Sequence, residues 1–116
     1  AGDAVLQEAV RRMQSSIRSY DAIGRYGGEE FLIVLPGCDE ACTFGQAERL
    51  RRHLSSEPMM VGDVPLKLTA SFGATSIMPT GKVLGETLIR VADEALYRAK
   101  HEGRDRVTYA AQPVEV

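Results

Sequence analysis

Hydrophobic positions follow the spacing of a helix in three segments of the chain. Apolar residues recur there at steps of three and four, which predicts amphipathic helices over residues 4–19, 40–55 and 84–102. Each helix is expected to bury one apolar stripe. The stripes consist of Leu6, Val10, Met13 and Ile17 in the first helix, of Phe44, Ala47, Leu50 and Leu54 in the second, and of Leu84, Leu88, Val91, Ala95 and Ala99 in the third.

Between these helices, the apolar runs have the composition and spacing of strands. Residues 22–23 and 31–35 flank a Gly-Gly pair, which predicts a β-hairpin because glycine readily adopts the positive φ of a tight turn. Residues 59–61 and an alternating run over 66–72 predict a second hairpin with one buried face. Gly73 interrupts that run and is expected to mark a bulge or a close packing contact.

The resulting order of elements is α–β–β–α–β–β–α–β, with a short closing strand over residues 106–110. Asp3 stands at the N-cap position of the first helix, where its carboxylate is expected to accept a hydrogen bond from a first-turn amide. Asp39 or Glu40 is expected to complement the dipole of the second helix, and Gly103 to end the third.

The composition is that of one soluble domain. The 116 residues are 44% hydrophobic and 26% charged, with no apolar run long enough to span a membrane and no signal-peptide pattern. We expect a domain over residues 1–111 and a tail over residues 112–116. The net charge of −2 does not favour broad nucleic-acid binding. Cys38 and Cys42 lack the spacing of a zinc site, so we expect reduced thiols in a cytoplasmic protein.

The first predicted hairpin carries two adjacent carboxylates at its tip. Glu29 and Glu30 directly follow Gly27-Gly28, a turn without side chains that could shield them. Mg²⁺ typically takes one or two protein carboxylates and leaves its other positions to water and substrate phosphate. A site of that kind and an ordinary hairpin with a solvated acidic tip are both compatible with the spacing alone.

The string that contains this turn, Arg25-Tyr-Gly-Gly-Glu-Glu-Phe31, resembles the signature of the GGDEF family of diguanylate cyclases. That family condenses two GTP molecules into cyclic di-GMP. Three further segments are similar to the family's motifs in order and spacing: Gly2-Asp3, the strand over residues 69–73, and the helix over residues 92–105. Position 105 departs slightly, with Asp in place of the commoner Asn, and we expect only a loop-capping role there.

The resemblance implies roles for the residues of the turn. Glu29 would hold Mg²⁺ or Mn²⁺ together with an aspartate upstream of this chain, and would help to deprotonate the attacking 3′-hydroxyl. Glu30 would support the metal. Gly27 and Gly28 would leave room for the nucleotide against the backbone.

The resemblance also implies a substrate site for GTP outside the turn. Asp3 would contact the guanine base, and Lys100 and Arg104 would bind the triphosphate. A local alternative for Lys100 is that it offsets the helix dipole.

An inhibitory site for the product is implied by the Arg-x-x-Asp motif of Arg18 and Asp21, with Arg49 as a second arginine. Arginine grips a phosphate or a guanine edge with two hydrogen bonds, and a carboxylate accepts from guanine N–H groups. The local alternative is a solvated helix end, with Arg18 near the helix C-terminus and Asp21 starting a turn.

The implied fold is α+β, an antiparallel central sheet flanked by helices, like the palm of nucleotide cyclases and polymerases with its ferredoxin-like core. The family's first strand and first helix would lie upstream, so this chain alone is expected to be inactive. The parent is expected to act as a homodimer behind a sensor domain, which could tether it to a membrane. Two other hypotheses are a silent GTP- or cyclic di-GMP-binding module and an unrelated ferredoxin-like interaction domain.

Overall fold

The computed structural model describes residues 2–77 and 85–111, which form an α+β fold of three helices and six short strands within those ranges. The α+β class predicted from the sequence is confirmed. The predicted start of the third helix at Leu84 and the predicted tail over residues 112–116 lie outside the described residues. The elements are α1 (Asp3–Gln14), β1 (Ala22–Gly27), β2 (Glu30–Val34), α2 (Glu40–Leu54), β3 (Met59–Val61), β4 (Val64–Leu66), β5 (Phe72–Ala74), α3 (Gly85–His101) and β6 (Val107–Tyr109).

The strands associate as three separate pairs. The first predicted hairpin, β1–β2, is antiparallel, and so is β3–β4, whose second strand shares only Leu66 with the predicted run over residues 66–72. The third pair, β5–β6, is parallel, and α3 forms the long crossover connection that two parallel strands require. In the described parts of the chain, no helix is long and apolar enough to cross a membrane.

The core forms where α1 and α2 meet the strands. Its most buried members are Met13, Leu50 and Leu54, all of which belong to the predicted stripes. Phe44, predicted on the same stripe of α2, is instead 43% exposed and does not belong to this cluster. Partly buried apolar residues surround the cluster: Ala9, Ile17, Ile23, Phe31, Ile33, Ala70 and Phe72.

Helix α3 packs against the parallel pair through a stripe of small residues. Val91, Ala95 and Ala99 are buried there, as the helical period predicts. A Cβ atom on Gly73 would lie 2.1 Å from the carbonyl oxygen of Ala92, so only glycine fits at this contact. The close packing contact predicted at Gly73 is therefore confirmed.

The first helix is shorter than its pattern predicts and ends at Gln14 rather than near residue 19. The hydroxyls of Ser15 and Ser16 both donate to the carbonyl oxygen of Arg12, at 2.7 and 3.3 Å. Such side-chain hydrogen bonds compete with the helical ladder and favour its termination. At the other end, the N-cap is Gly2 and Asp3 is the first helical residue, so the prediction that Asp3 caps the helix is wrong.

The prediction of one long strand over residues 66–72 is also wrong, because β4 ends at Leu66, β5 begins at Phe72 and residues 67–71 are not strand. The buried face predicted for the second hairpin is absent from β4, all three residues of which are exposed. Leu66 pairs with Met59, the first residue of β3. Pro58 precedes Met59 and has no N–H to donate, so the ladder cannot continue past this pair. A tight turn at residues 62–63 joins β3 and β4, with Gly62 at a φ of 62°.

The prediction of two reduced thiols is wrong in this structure, since a disulfide joins Cys38 and Cys42. Asp39 between them is the N-cap of α2, and its carboxylate accepts a hydrogen bond from the Cys42 amide at 2.9 Å. This cap turns the chain tightly and brings the two Cα atoms to 5.1 Å, within the range that a disulfide bridges.

Candidate functional site

The glycine turn between β1 and β2 is held in place by an arginine of its own hairpin. Gly28 has a φ of 53°, which favours glycine, and the register shifts between Arg25 and Gly27. The Arg25 guanidinium donates to the Gly28 carbonyl oxygen from Nε at 2.9 Å and from Nη2 at 2.6 Å. Arg25 therefore fixes the backbone from which the two glutamates project.

The space beside the two glycines is open. A Cβ atom built on Gly27 or Gly28 would meet no atom within 4 Å. Glu29 at the tip is exposed, and Glu30 at the start of β2 is half-buried. The turn thus presents carboxylate oxygens next to backbone that a ligand can approach closely.

A lysine from the far end of the chain reaches this turn. Lys100 Nζ lies 3.5 Å from Glu30 Oε2, and the two side chains are 36% and 38% exposed. Seventy residues separate them in sequence, and they belong to α3 and β2. The ion pair places a cation beside the carboxylates, where it can interact with a phosphate.

Arg104 follows the end of α3, a short distance along the chain from Lys100. Its backbone has a φ of 59°, and its amide donates to the Ala99 carbonyl oxygen at 2.9 Å. The preceding Gly103 has a φ of 122°, consistent with its predicted role in ending the helix. Arg104 is exposed and leaves α3 on a turn that these backbone contacts define.

A cleft of about 560 Å³ separates α1 from the β1–β2 hairpin. Asp3 and Gln7 line its helical side, and Gly24, Arg25 and Phe31 line its strand side. Its volume falls within the usual range for small-molecule sites. The structure therefore brings Asp3 and the residue that fixes the glycine turn to the same cleft.

The donors at the turn suit a hard cation, because carboxylate oxygens are the ligands that Mg²⁺ prefers and one or two of them suffice. Within residues 2–77 and 85–111, no cluster of three or more His, Cys, Asp or Glu residues could hold a metal ion by itself. Glu29 and Glu30 fit the part of a shared site that this chain would contribute, with water and phosphate completing the coordination.

A second cluster joins Arg18 and Asp21 between α1 and β1. Arg18 donates to the Asp21 carboxylate from Nε at 3.0 and 3.1 Å and from Nη2 at 2.8 Å. The Asp21 side chain has 0% exposure, whereas 29% of the Arg18 side chain remains exposed. The hydrogen bonds from Arg18 lower the pKa of Asp21 below its ordinary value, and those to Asp21 raise the pKa of Arg18. Asp21 is therefore a buried anion that orients a partly exposed cation.

Three further groups surround the Arg18 guanidinium. Its Nη2 lies 3.1 Å from the Pro36 carbonyl oxygen and 3.6 Å from Cys38 Sγ, and its central carbon lies 4.6 Å from the centre of the exposed Tyr20 ring.

Arg49 lies on α2, seven residues after Cys42. Seven residues correspond to roughly 10 Å along the helix axis and bring the side chain back to the same face of the helix. Arg49 is exposed and makes no hydrogen bond or ion pair with the described residues.

These motifs match one family model, described as "Diguanylate cyclase, GGDEF domain", over residues 1–106. The chain belongs to the GGDEF family. The chain is 39% identical over 110 residues to "Diguanylate cyclase DgcP" of Pseudomonas aeruginosa, an alignment that covers 95% of this chain and 16% of that protein.

Solved GGDEF domains have the same fold. The active GGEEF domain of a diguanylate cyclase from Vibrio cholerae matches with a TM-score of 0.79 and 32% identity, over 96% of this chain and 69% of that one. The GGDEF domain of DgcB from Caulobacter crescentus, solved in complex with c-di-GMP, matches with a TM-score of 0.82 and 28% identity, over 92% and 63%. The resemblance inferred from the signature is thus confirmed at the level of family and fold.

Two contacts in this GGDEF domain were not predicted from the sequence. Arg25 belongs to the signature, and its position three residues before Gly28 allows it to reach the turn. The resemblance predicts only a loop-capping role for Asp105, but its carboxylate accepts a hydrogen bond from Arg51 Nη1 at 3.1 Å. Hydrogen bonds to Glu48 and to Asp105 raise the pKa of Arg51. This pair ties the segment after α3 to α2.

Proposed function

We propose that this chain is the signature-bearing part of a diguanylate cyclase, which condenses two GTP molecules into cyclic di-GMP and releases pyrophosphate. The observation that carries the proposal is the intact Gly27–Glu30 turn with Lys100 paired to Glu30. The active GGEEF domain of a diguanylate cyclase from Vibrio cholerae has the same fold and the same form of the signature. Since the chain spans only 16% of DgcP, the reaction is proposed for the longer protein that contains it.

In the proposed reaction, the chain's own residues bind and orient GTP. Asp3 accepts hydrogen bonds from the guanine in the cleft between α1 and the hairpin. Gly27 and Gly28 leave open space for the nucleotide. Lys100 and Arg104 bind the triphosphate, and their charges offset the negative charge that develops on the departing pyrophosphate.

Glu29 is assigned the proton transfer, because it is the exposed carboxylate at the tip of the turn. It accepts the proton of the 3′-hydroxyl, whose oxygen then displaces pyrophosphate in line from the second GTP. Glu29 and Glu30 would also hold Mg²⁺ or Mn²⁺ together with a carboxylate from outside this chain. When bound, that ion would lower the pKa of the hydroxyl and neutralise phosphate charge.

Each domain presents one GTP, so the proposal requires two copies facing each other. The product would also inhibit the reaction at a separate site. Cyclic di-GMP would bind the exposed edge of Arg18, held in place by Asp21, and extend towards Arg49. Because the proposed metal site needs a further carboxylate from outside this chain, this chain alone is expected to be inactive.

The experiment is to incubate the longer protein with GTP and Mg²⁺ and to detect cyclic di-GMP by mass spectrometry. Product that requires both the divalent ion and GTP is the expected result. The absence of product from a folded dimer, freed of bound cyclic di-GMP, would contradict the cyclase proposal. GTP binding without turnover in that dimer would indicate a nucleotide-binding module instead.

A further inference from the structure

The disulfide between Cys38 and Cys42 lies next to the Arg18–Asp21 cluster and plays no part in the proposed reaction. It closes a short loop across the N-cap of α2, from the residue before the cap to the third residue of the helix. Both cysteines are partly exposed. A small thiol reagent can therefore reach this bond from solvent.

The loop that the disulfide closes is in direct contact with Arg18. Nη2 of Arg18 donates to the Pro36 carbonyl oxygen at 3.1 Å and lies 3.6 Å from Cys38 Sγ. Besides Asp21 and the Tyr20 ring, the Arg18 guanidinium thus contacts the loop at Pro36 and Cys38. The position of the loop thus contributes to the orientation of the arginine that faces the ligand.

We infer that Cys38 and Cys42 are a redox-responsive pair that tunes the affinity of the Arg18–Asp21 cluster for cyclic di-GMP. The inference rests on the ligand proposed for that cluster. In the oxidised form, the disulfide restrains the loop and keeps Pro36 and Cys38 against Arg18. In the reduced form, the loop loses its covalent closure, and Arg18 must be ordered to a greater extent when the ligand binds.

The redox step is thiol–disulfide exchange. A dithiol reductant such as dithiothreitol gives up two electrons and two protons, the Cys38–Cys42 bond breaks, and two thiols form while the reductant closes its own disulfide. Oxidised glutathione reverses the step through a mixed disulfide. One cysteine thiolate attacks oxidised glutathione, which forms the mixed disulfide and releases one glutathione. The thiolate of the second cysteine then displaces the other glutathione and reforms the Cys38–Cys42 bond.

The test is to measure cyclic di-GMP binding to the chain by isothermal titration calorimetry in both redox states. Glutathione-oxidised and dithiothreitol-reduced samples are compared after thiol titration has established their state. Ordering one long side chain on binding costs affinity, so the reduced form is expected to bind about two- to tenfold more weakly. The Cys38→Ser/Cys42→Ser variant should bind like the reduced form and should not respond to either reagent.

Each alternative result has a distinct meaning. Equal or tighter binding by the reduced form, or two free thiols after glutathione treatment, would overturn the redox inference and leave the cyclic di-GMP site standing. A redox response that persists in the double serine variant would overturn it as well. No binding in either form would overturn the redox inference and, with it, the ligand proposed for the Arg18–Asp21 cluster.

Discussion

Arg18 and Asp21 form a bidentate ion pair in which the carboxylate is completely buried and the guanidinium is partly exposed. A ligand that approaches this cluster from solvent therefore meets Arg18 first. Asp21 acts chiefly by holding that cation in one orientation, with an additional hydrogen bond from the Arg18 amide at 2.8 Å. The two residues of the motif have different tasks, which separate substitutions can distinguish.

Arg18→Ala is expected to weaken cyclic di-GMP binding by about 10- to 100-fold, the loss expected when charge-assisted hydrogen bonds to a ligand are removed. Asp21→Asn is expected to weaken binding less, because Arg18 keeps its charge but loses its anionic partner. Calorimetric titration measures both. Arg90→Ala, which removes an exposed arginine paired with Glu94 on α3, is the control and should leave binding unchanged. A larger loss in Asp21→Asn than in Arg18→Ala would contradict these roles.

Glu8 makes the stability of the chain depend on pH. Hydrogen bonds from Arg11 and Arg12 lower its pKa from 4.5 to about 2. The stability contributed by this carboxylate is fully present above pH 4.5 and is lost as the pH falls towards 2. Urea denaturation should therefore show Glu8→Gln less stable than the unmodified chain at pH 7, with the difference shrinking at pH 3. A difference that grows on acidification would have the wrong sign.

Arg12 is a buried cation that ties α1 to the end of α2. Its Nη1 donates to the carbonyl oxygens of Leu54 and Glu57, and its Nε donates to Glu8 at 2.7 Å. Arg12→Met removes these donors and leaves the Leu54 carbonyl buried without them. The free energy of unfolding should therefore fall by about 2–3 kcal/mol.

The matched control is Arg11→Met, one position earlier on α1. Arg11 also pairs with Glu8 but is exposed, so Arg11→Met should lower the free energy of unfolding by less than about 1 kcal/mol. Chemical denaturation compares the two variants. Equal losses would show that the contacts of Arg12 with the end of α2 contribute nothing to stability.

Gly73 is expected to tolerate no side chain. Alanine there would bring its Cβ within 2.1 Å of the Ala92 carbonyl oxygen and 2.3 Å of the Leu96 amide nitrogen. Gly73→Ala should push α3 away from β5 and lower the free energy of unfolding by about 2–3 kcal/mol. Gly45→Ala on α2, where a Cβ meets no atom within 4 Å, should instead stabilise the chain by about 0.5–1 kcal/mol. Thermal denaturation should show a lower melting temperature for Gly73→Ala and a higher one for Gly45→Ala.

Local signals in the sequence predicted much of this fold. The steps of three and four that include Leu50 and Leu54 define α2, and the Gly27-Gly28 pair defines the first hairpin, because both patterns act over a few residues. The failures have local causes as well. Ser15 and Ser16 end α1 early, and Pro58 stops the second hairpin, signals that the hydrophobic pattern alone does not weigh.

The contacts between distant segments could not be predicted in the same way. Arg12 meets Leu54 across 42 residues, and Lys100 meets Glu30 across 70. Such pairs depend on how helices pack, and no spacing along the chain encodes them. The family resemblance assigned Lys100 to the triphosphate, but it did not reveal the ion pair with Glu30. Likewise, nothing in the Cys38–Cys42 spacing indicated contact with Arg18.

The central claim is that the turn at Gly27–Glu30 carries the chemistry of cyclic di-GMP synthesis. The most direct test compares the rate of product formation, measured by mass spectrometry, in the longer protein with Glu29→Gln and with Glu40→Gln. Glu40 is an exposed carboxylate in the first turn of α2 and serves as the control. We expect a loss of at least about 100-fold for Glu29→Gln, because a group that acts in the transition state is removed, and no loss for Glu40→Gln. Equal rates in both variants would contradict it.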